Sequence, residues 1–142
     1  MKPNSIAYIK GGEDAPQLRG NVKFFQKRGY VLVTATIFGM PSSETGFYGF
    51  HIHSGTSCTE AAFSKTGQHY DIRTSQHPQH SGDLPPLMLC NGGSYMTVAT
   101  DRFTTNDIIG RTVVIHKDVD DFTTQPSGNA GTKIACGVIH KR

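Results

Sequence analysis

The chain has 142 residues, a formal net charge of +3, 36% apolar residues and no tryptophan. That length suits one compact domain, residues 1–142, and is short for two. The lysines and arginines are scattered, without the dense basic stripe of a nucleic-acid binder, and no apolar run approaches the roughly 18 residues that cross a bilayer.

Ser5 to Lys10 reads as a first strand, closed by Gly11-Gly12. Leu18 to Gln26 alternates in part and leads into a turn at Lys27-Arg28-Gly29. Tyr30 to Phe38 (YVLVTATIF) is the clearest strand, β-branched and bounded by Gly39 and Pro41. Gly46 to His53 (GFYGFHIH) carries the period-2 alternation of one half-buried strand. The polar stretch from Ser54 to Pro86 is too long for an ordinary connection unless metal or a disulfide pins it. Strands resume at Leu87 to Cys90, at Tyr95 to Thr100 after the turn Asn91-Gly92-Gly93, and at Thr112 to His116. A second polar loop, Asp118 to Thr132, precedes a last strand, Ile134 to Ile139. Short strands with glycine-rich turns and two long polar loops predict an all-β, antiparallel sandwich or barrel of about eight strands.

Three cysteines, Cys58, Cys90 and Cys136, cannot all pair, and no CxxC zinc motif is present. One disulfide and one buried thiol is the simplest arrangement. Six of the 7 histidines fall in an ordered pattern: His51-x-His53, His69, His77-x-x-His80-x-x-Asp83 and His116. Residues two apart on a strand share a face, so His51 and His53 present two imidazoles together. The segment His77 to Asp83 supplies two nitrogens and a carboxylate, a clip that closes on tetrahedral zinc with one further ligand. His69 is placed to serve either group, and His116 can reach the first across the sheet. These ligands suffice for two metal ions. His140, in the charged C-terminal tail, reads as a surface residue.

Gly49-Phe50-His51-Ile52-His53, His69, His77, His80-Ser-Gly-Asp83-Leu84, the run Gly110 to His116 and the run Gly128 to Val138, taken in this order, closely resemble copper/zinc superoxide dismutases. The resemblance covers nearly the whole chain. It implies a Greek-key β-sandwich and an enzyme that converts superoxide, a small anion, to O2 and hydrogen peroxide. It implies copper on His51, His53, His69 and His116, and zinc on His69, His77, His80 and Asp83, with His69 as a shared imidazolate. Asp120 matches the family carboxylate that links a copper-ligand histidine to a zinc-ligand one, here His51 to His77. Cys58 and Cys136 match the family disulfide, leaving Cys90 as a small buried hydrophobe.

Lys133 stands where the family commonly has an arginine beside the copper channel. A lysine keeps the charge and loses the planar fork, so exchanging Lys133 for Arg is expected to raise the second-order rate at low salt. Only Pro78 and Gln79 separate His77 from His80, and the stretch from His116 to Lys133 is short, which leaves homodimer and monomer both open. No apolar stretch of a signal peptide follows Met1-Lys2-Pro3-Asn4, which fits the cytoplasm unless a leader has been removed. A structural disulfide and the export usual among bacterial relatives favour an extracytoplasmic compartment. A non-catalytic copper or zinc module of the same fold, for delivery or storage, is the rival reading; chains of that kind tend to lose copper ligands, and this one keeps all four. A mononuclear zinc hydrolase would need an open zinc position, which a four-ligand set closes.

Overall fold

The computed structural model describes residues 1–142. Nine strands form: β1 (Ser5–Gly11), β2 (Arg19–Lys27), β3 (Tyr30–Phe38), β4 (Phe47–Tyr48), β5 (Phe50–His53), β6 (Leu87–Met88), β7 (Ser94–Thr100), β8 (Thr112–His116) and β9 (Lys133–Lys141). The main sheet is antiparallel in the order β5-β8-β9-β1-β2-β3-β7, and β4 pairs with β6 in a second, two-stranded sheet. Placing the last strand beside the first, ahead of the β1-β2-β3 meander, is the Greek-key order. The long sheet curls into a half-barrel closed over its apolar face.

Alternation sets which side chains fill it. In β3, Val31, Val33, Ala35 and Ile37 are buried while Leu32, Thr34 and Thr36 are only half covered. Their inward faces join Val22, Phe24, Phe50, Ile52, Val113 and Ile115 in one cluster of 24 buried residues. Fully burying a side chain such as Phe24 or Ile52 contributes about 1.5–3 kcal/mol.

Gly46 to His53 does not form one strand. It divides at Gly49, whose N–H donates to Asp118 O at 2.9 Å and whose carbonyl accepts from His116 N at 2.8 Å. A Cβ at Gly49 would lie 2.7 Å from that of Ala130, so the chain crosses here from one sheet to the other only as glycine. Cys90 is also not where the sequence reading puts it. It is exposed, at the start of a tight turn in which Cys90 and Gly93 exchange backbone hydrogen bonds of 2.8 and 3.0 Å. The turn residues Asn91 and Gly92, both at positive φ, swing the thiol outward before the strand can bury it.

β5 is the edge of the main sheet, and the first long loop covers it. Ile52 N donates to Gly82 O, Tyr70 N to Ile52 O and Ser54 N to Gln68 O at 2.7–2.8 Å. An open edge is thereby satisfied and the loop is drawn over the outer side of the strand. The Cys58–Cys136 disulfide, with Cα atoms 5.8 Å apart, ties the same loop to β9.

Candidate metal centre

Phe50 and Ile52 point into the core, so strand geometry turns His51 and His53 to the outer side of the half-barrel. There they are 0% and 2% exposed, because residues of the 54–86 and 117–132 loops lie over them. A register shift after Ile115 sets His116 opposite Lys133, on this same outer side. His69, next to His53 in an isolated bridge, and Asp83, next to His51 in another, come in from the covering loop.

The hydrogen bonds fix which nitrogen of each ring is bare. A carbonyl only accepts, so His53 Nδ1, 2.9 Å from Gly67 O, and His116 Nδ1, 3.1 Å from Gly131 O, carry the protons. Their Nε2 atoms then face each other 3.2 Å apart with lone pairs only, an arrangement that calls for a shared cation. His51 donates through Nε2 to Asp120 Oδ2 at 2.7 Å, leaving its Nδ1 bare. His77 Nε2 donates to Asp120 Oδ1 at 2.7 Å, leaving its Nδ1 bare in turn. His69 Nδ1 lies 2.7 Å from Asp83 Oδ1, and Asp83 Oδ2 is 3.1 Å from both His77 Nδ1 and His80 Nδ1.

Six buried side-chain atoms in the protein lack a hydrogen-bond partner, and four of them are His51 Nδ1, His69 Nε2, His77 Nδ1 and His80 Nδ1. Buried polar atoms go unpaired only at a cost of about 1–3 kcal/mol each, so four on one spot mark a ligand site. Ligand atoms of His51, His53, His69 and His116 fall within 4.8 Å of one another. The same limit also groups His51 with His69, His77 and Asp83. His51 and His69 are common to both groups, and His80 lies outside both, with its Nδ1 3.1 Å from Asp83 Oδ2.

Electrostatics keeps these rings ready to bind. Burial, reinforced by the neighbouring imidazoles, pushes His51 down to about 4, His53 to about 2 and His116 to about 3. Burial works to raise Asp120 and Asp83, but the histidine N–H donors outweigh it and both carboxyls end below their usual range. With His51, His53 and His116 held neutral, the buried Asp83 and Asp120 carboxylates leave negative charge for cations to balance.

A copper/zinc superoxide dismutase family model matches residues 18–139. The chain belongs to the copper/zinc superoxide dismutase family. It is 32% identical over 152 residues to "Superoxide dismutase [Cu-Zn] 3" of Arabidopsis thaliana, covering 95% of this chain and 88% of the relative. To "Superoxide dismutase [Cu-Zn] 2" of Brassica juncea it is 32% identical over 139 residues, covering 86% of this chain and 89% of the relative. The two histidine clusters match the copper and zinc geometry of this family, and the protein is an oxidoreductase of the copper/zinc superoxide dismutase type.

Of the residues that the resemblance to superoxide dismutases singles out, the six histidines, Asp83 and Asp120 lie together here and Lys133 borders the cavity beside them, while the two cysteines lie apart. Asp120 does span His51 and His77, and Cys58 is bonded to Cys136. Gly128 makes room for Asp120: at φ 74°, a Cβ there would sit 2.0 Å from Asp120 Oδ1 and 2.6 Å from His77 Nε2. His140 is exposed on β9, away from the clusters. A cavity of about 240 Å³, bordered by His53, His69, His116, Gln68, Ser127 and Lys133, leads to the first cluster. A larger hollow of about 900 Å³ beside β1, β9 and the disulfide holds no comparable ligand set.

Sequence reasoning missed several supports. Gln125 grips the backbone of His77, with its Oε1 accepting from His77 N at 3.0 Å and its Nε2 donating to His77 O at 2.6 Å. Arg102 donates to Pro78 O and His80 O at 2.7 and 3.2 Å, clamping the short His77–His80 link. The carbonyls of Gly67 and Gly131, which set the tautomers of His53 and His116, carry no sequence signal at all.

Proposed function

We propose that this protein dismutates superoxide, turning two superoxide anions and two protons into O2 and hydrogen peroxide. The observation that supports this reading best is the set of bare, buried ring nitrogens in two ligand clusters that share His51 and His69. In this assignment His51, His53, His69 and His116 hold copper, and His69, His77, His80 and Asp83 hold zinc. Copper, when bound, supplies a one-electron couple between successive superoxide anions, and zinc supplies charge without redox chemistry.

The residues provide everything else. Four imidazole donors suit copper, whereas three imidazoles and a carboxylate suit tetrahedral zinc. His69 presents Nε2 to the first cluster and Nδ1 to the second, so Nε2 is the atom placed to hold a proton and pass it to the product. Asp120 keeps the Nε2–H groups of His51 and His77 turned away from the ligand side, fixing both tautomers. Lys133 borders the cavity and puts a positive charge where a small anion enters. The substrate is small enough that no larger pocket is required. This reading takes residues 1–142 as one domain. The buried disulfide is more typical of extracytoplasmic proteins, and we place the enzyme there.

Superoxide decay after pulse radiolysis, on protein loaded with equimolar copper and zinc, tests the assignment against a His53→Ala control. Fast decay that vanishes in the control is the expected result. Slow decay with both metals verified as bound would assign the protein to a non-catalytic metal-binding role.

A further inference from the structure

We propose that Thr66 is a positioning residue for Lys133, and that with the Gly67 carbonyl it forms a seat that holds the ammonium in the channel with a single N–H left free. The inference rests on the reading of Lys133 as the residue that guides the anion. Lys133 Nζ donates to Thr66 Oγ1 at 2.7 Å and to Gly67 O at 3.2 Å. An ammonium has three donors, so two are committed to the seat and one remains to meet an incoming oxygen.

The seat is built rather than incidental. Thr66 is 0% exposed, and its hydroxyl donates to Phe63 O at 2.8 Å. With its proton committed there, the oxygen presents lone pairs alone, which is what an ammonium needs. Phe63 packs with Val114 and Cys136 against Cys58, so the carbonyl that orients the hydroxyl is anchored to β8 and to the disulfide. Gly67 O also accepts from His53 Nδ1 at 2.9 Å, which places the seat and a proposed copper ligand on one carbonyl.

This bears on what lysine loses relative to arginine. A free lysine is a flexible point charge, whereas a guanidinium is a rigid fork. A seated ammonium is neither: two of its three directions are fixed and the third follows. Thr66 thus supplies through the loop the orientation that the side chain itself lacks. Thr66 does not border the cavity and touches no substrate; it acts through Lys133.

The test uses the copper- and zinc-loaded protein and two readouts, the second-order rate at low ionic strength and the affinity for azide followed by the copper visible spectrum. Thr66→Val, which keeps shape and removes the hydroxyl, is expected to lower the rate about threefold or more and to weaken azide similarly. Thr66→Ser is expected to stay within about twofold of the parent in both. In a Lys133→Met background, Thr66→Val is expected to change neither further. Unchanged rate and azide affinity in Thr66→Val would overturn the proposal, as would an equal loss in the Lys133→Met background, which would mean a general structural role. A Lys133→Met protein with the parental rate would remove the guiding role of Lys133 itself, a separate failure. Should valine disturb metal loading, the zinc-loaded parent carries the test by ¹⁵N NMR: a Lys133 ammonium signal protected from exchange supports the seat, and one lost to solvent exchange overturns it.

Discussion

Gln125 and His77 are joined as two strands would be: the side-chain amide of one meets both backbone groups of the other, at 3.0 Å to the His77 N–H and 2.6 Å to its carbonyl. The contact links the backbone of the first loop directly to the second loop, next to the cluster proposed to hold zinc. Gln125→Leu keeps the bulk and loses both bonds, each worth about 0.5–1.5 kcal/mol. The His77 ring then keeps its hydrogen bond to Asp120, but its backbone is held only indirectly, through the Arg102 clamp on Pro78 and His80. Zinc affinity, measured by competition with a chromogenic chelator, is expected to fall about tenfold, in the range seen when groups that orient ligands are removed.

Asp120→Asn is expected to do more. The carboxylate accepts from His51 Nε2 and His77 Nε2 through separate oxygens, both at 2.7 Å. Asparagine has one accepting oxygen, so its amide N–H₂ must face one of the two ring N–H groups. That ring either flips, presenting the wrong nitrogen to its cluster, or loses its partner. A 10–100-fold loss of metal affinity is expected, with zinc and copper titrations showing which histidine gives way.

The ligand pattern was legible because two rules coincide: imidazole is the usual ligand, and period-2 geometry pairs His51 with His53 on one face. β3 and β8 were legible to the residue, since β-branched runs bounded by turns leave little choice. Asp120 was legible only through resemblance, because nothing local distinguishes it from the neighbouring Asp118 and Asp121. The break at Gly49 was hidden because alternation continues through it; a close approach by Ala130 and His116 from distant segments forces it. Thr66, Gly67, Arg102 and Gln125 act through backbone groups or across many residues, and such contacts leave no pattern in a sequence. Cys90 was misplaced because burial is the usual lot of a lone cysteine, whereas the Asn91-Gly92 turn decides its exposure.

Cys90 and the disulfide give opposite responses to thiol chemistry. Native, unreduced protein is expected to take up one maleimide per chain, at Cys90, because Cys58 and Cys136 are bonded and Cys90 is exposed. Cys90→Ser abolishes the labelling with little change in stability. Reduction of Cys58–Cys136, which are 78 residues apart, is expected to cost the metal-free protein about 4–5 kcal/mol in the chain-entropy model. Denaturant titration with and without a phosphine reductant, followed by mass counting of alkylated thiols, separates the two sites.

Acid is expected to destabilise the metal-free protein from near pH 6.5 downward. In the folded chain His51, His53 and His116 are depressed to about 4, 2 and 3, chiefly by burial. In the unfolded chain each titrates near 6.5. Below that value the unfolded state binds protons that the folded state refuses, so stability falls as pH falls, until the folded values are reached. Above about pH 7 both states leave the rings neutral and the three contribute no pH dependence. With three such rings the slope between pH 6 and 4 approaches about 4 kcal/mol per pH unit. Asp83 and Asp120 add a later loss, since carboxyls held low in the folded state begin to favour unfolding only near pH 4 and below. Urea midpoints from pH 8 to 4 check the window. His53→Gln, which removes one of the depressed rings, is expected to lower the slope of that profile.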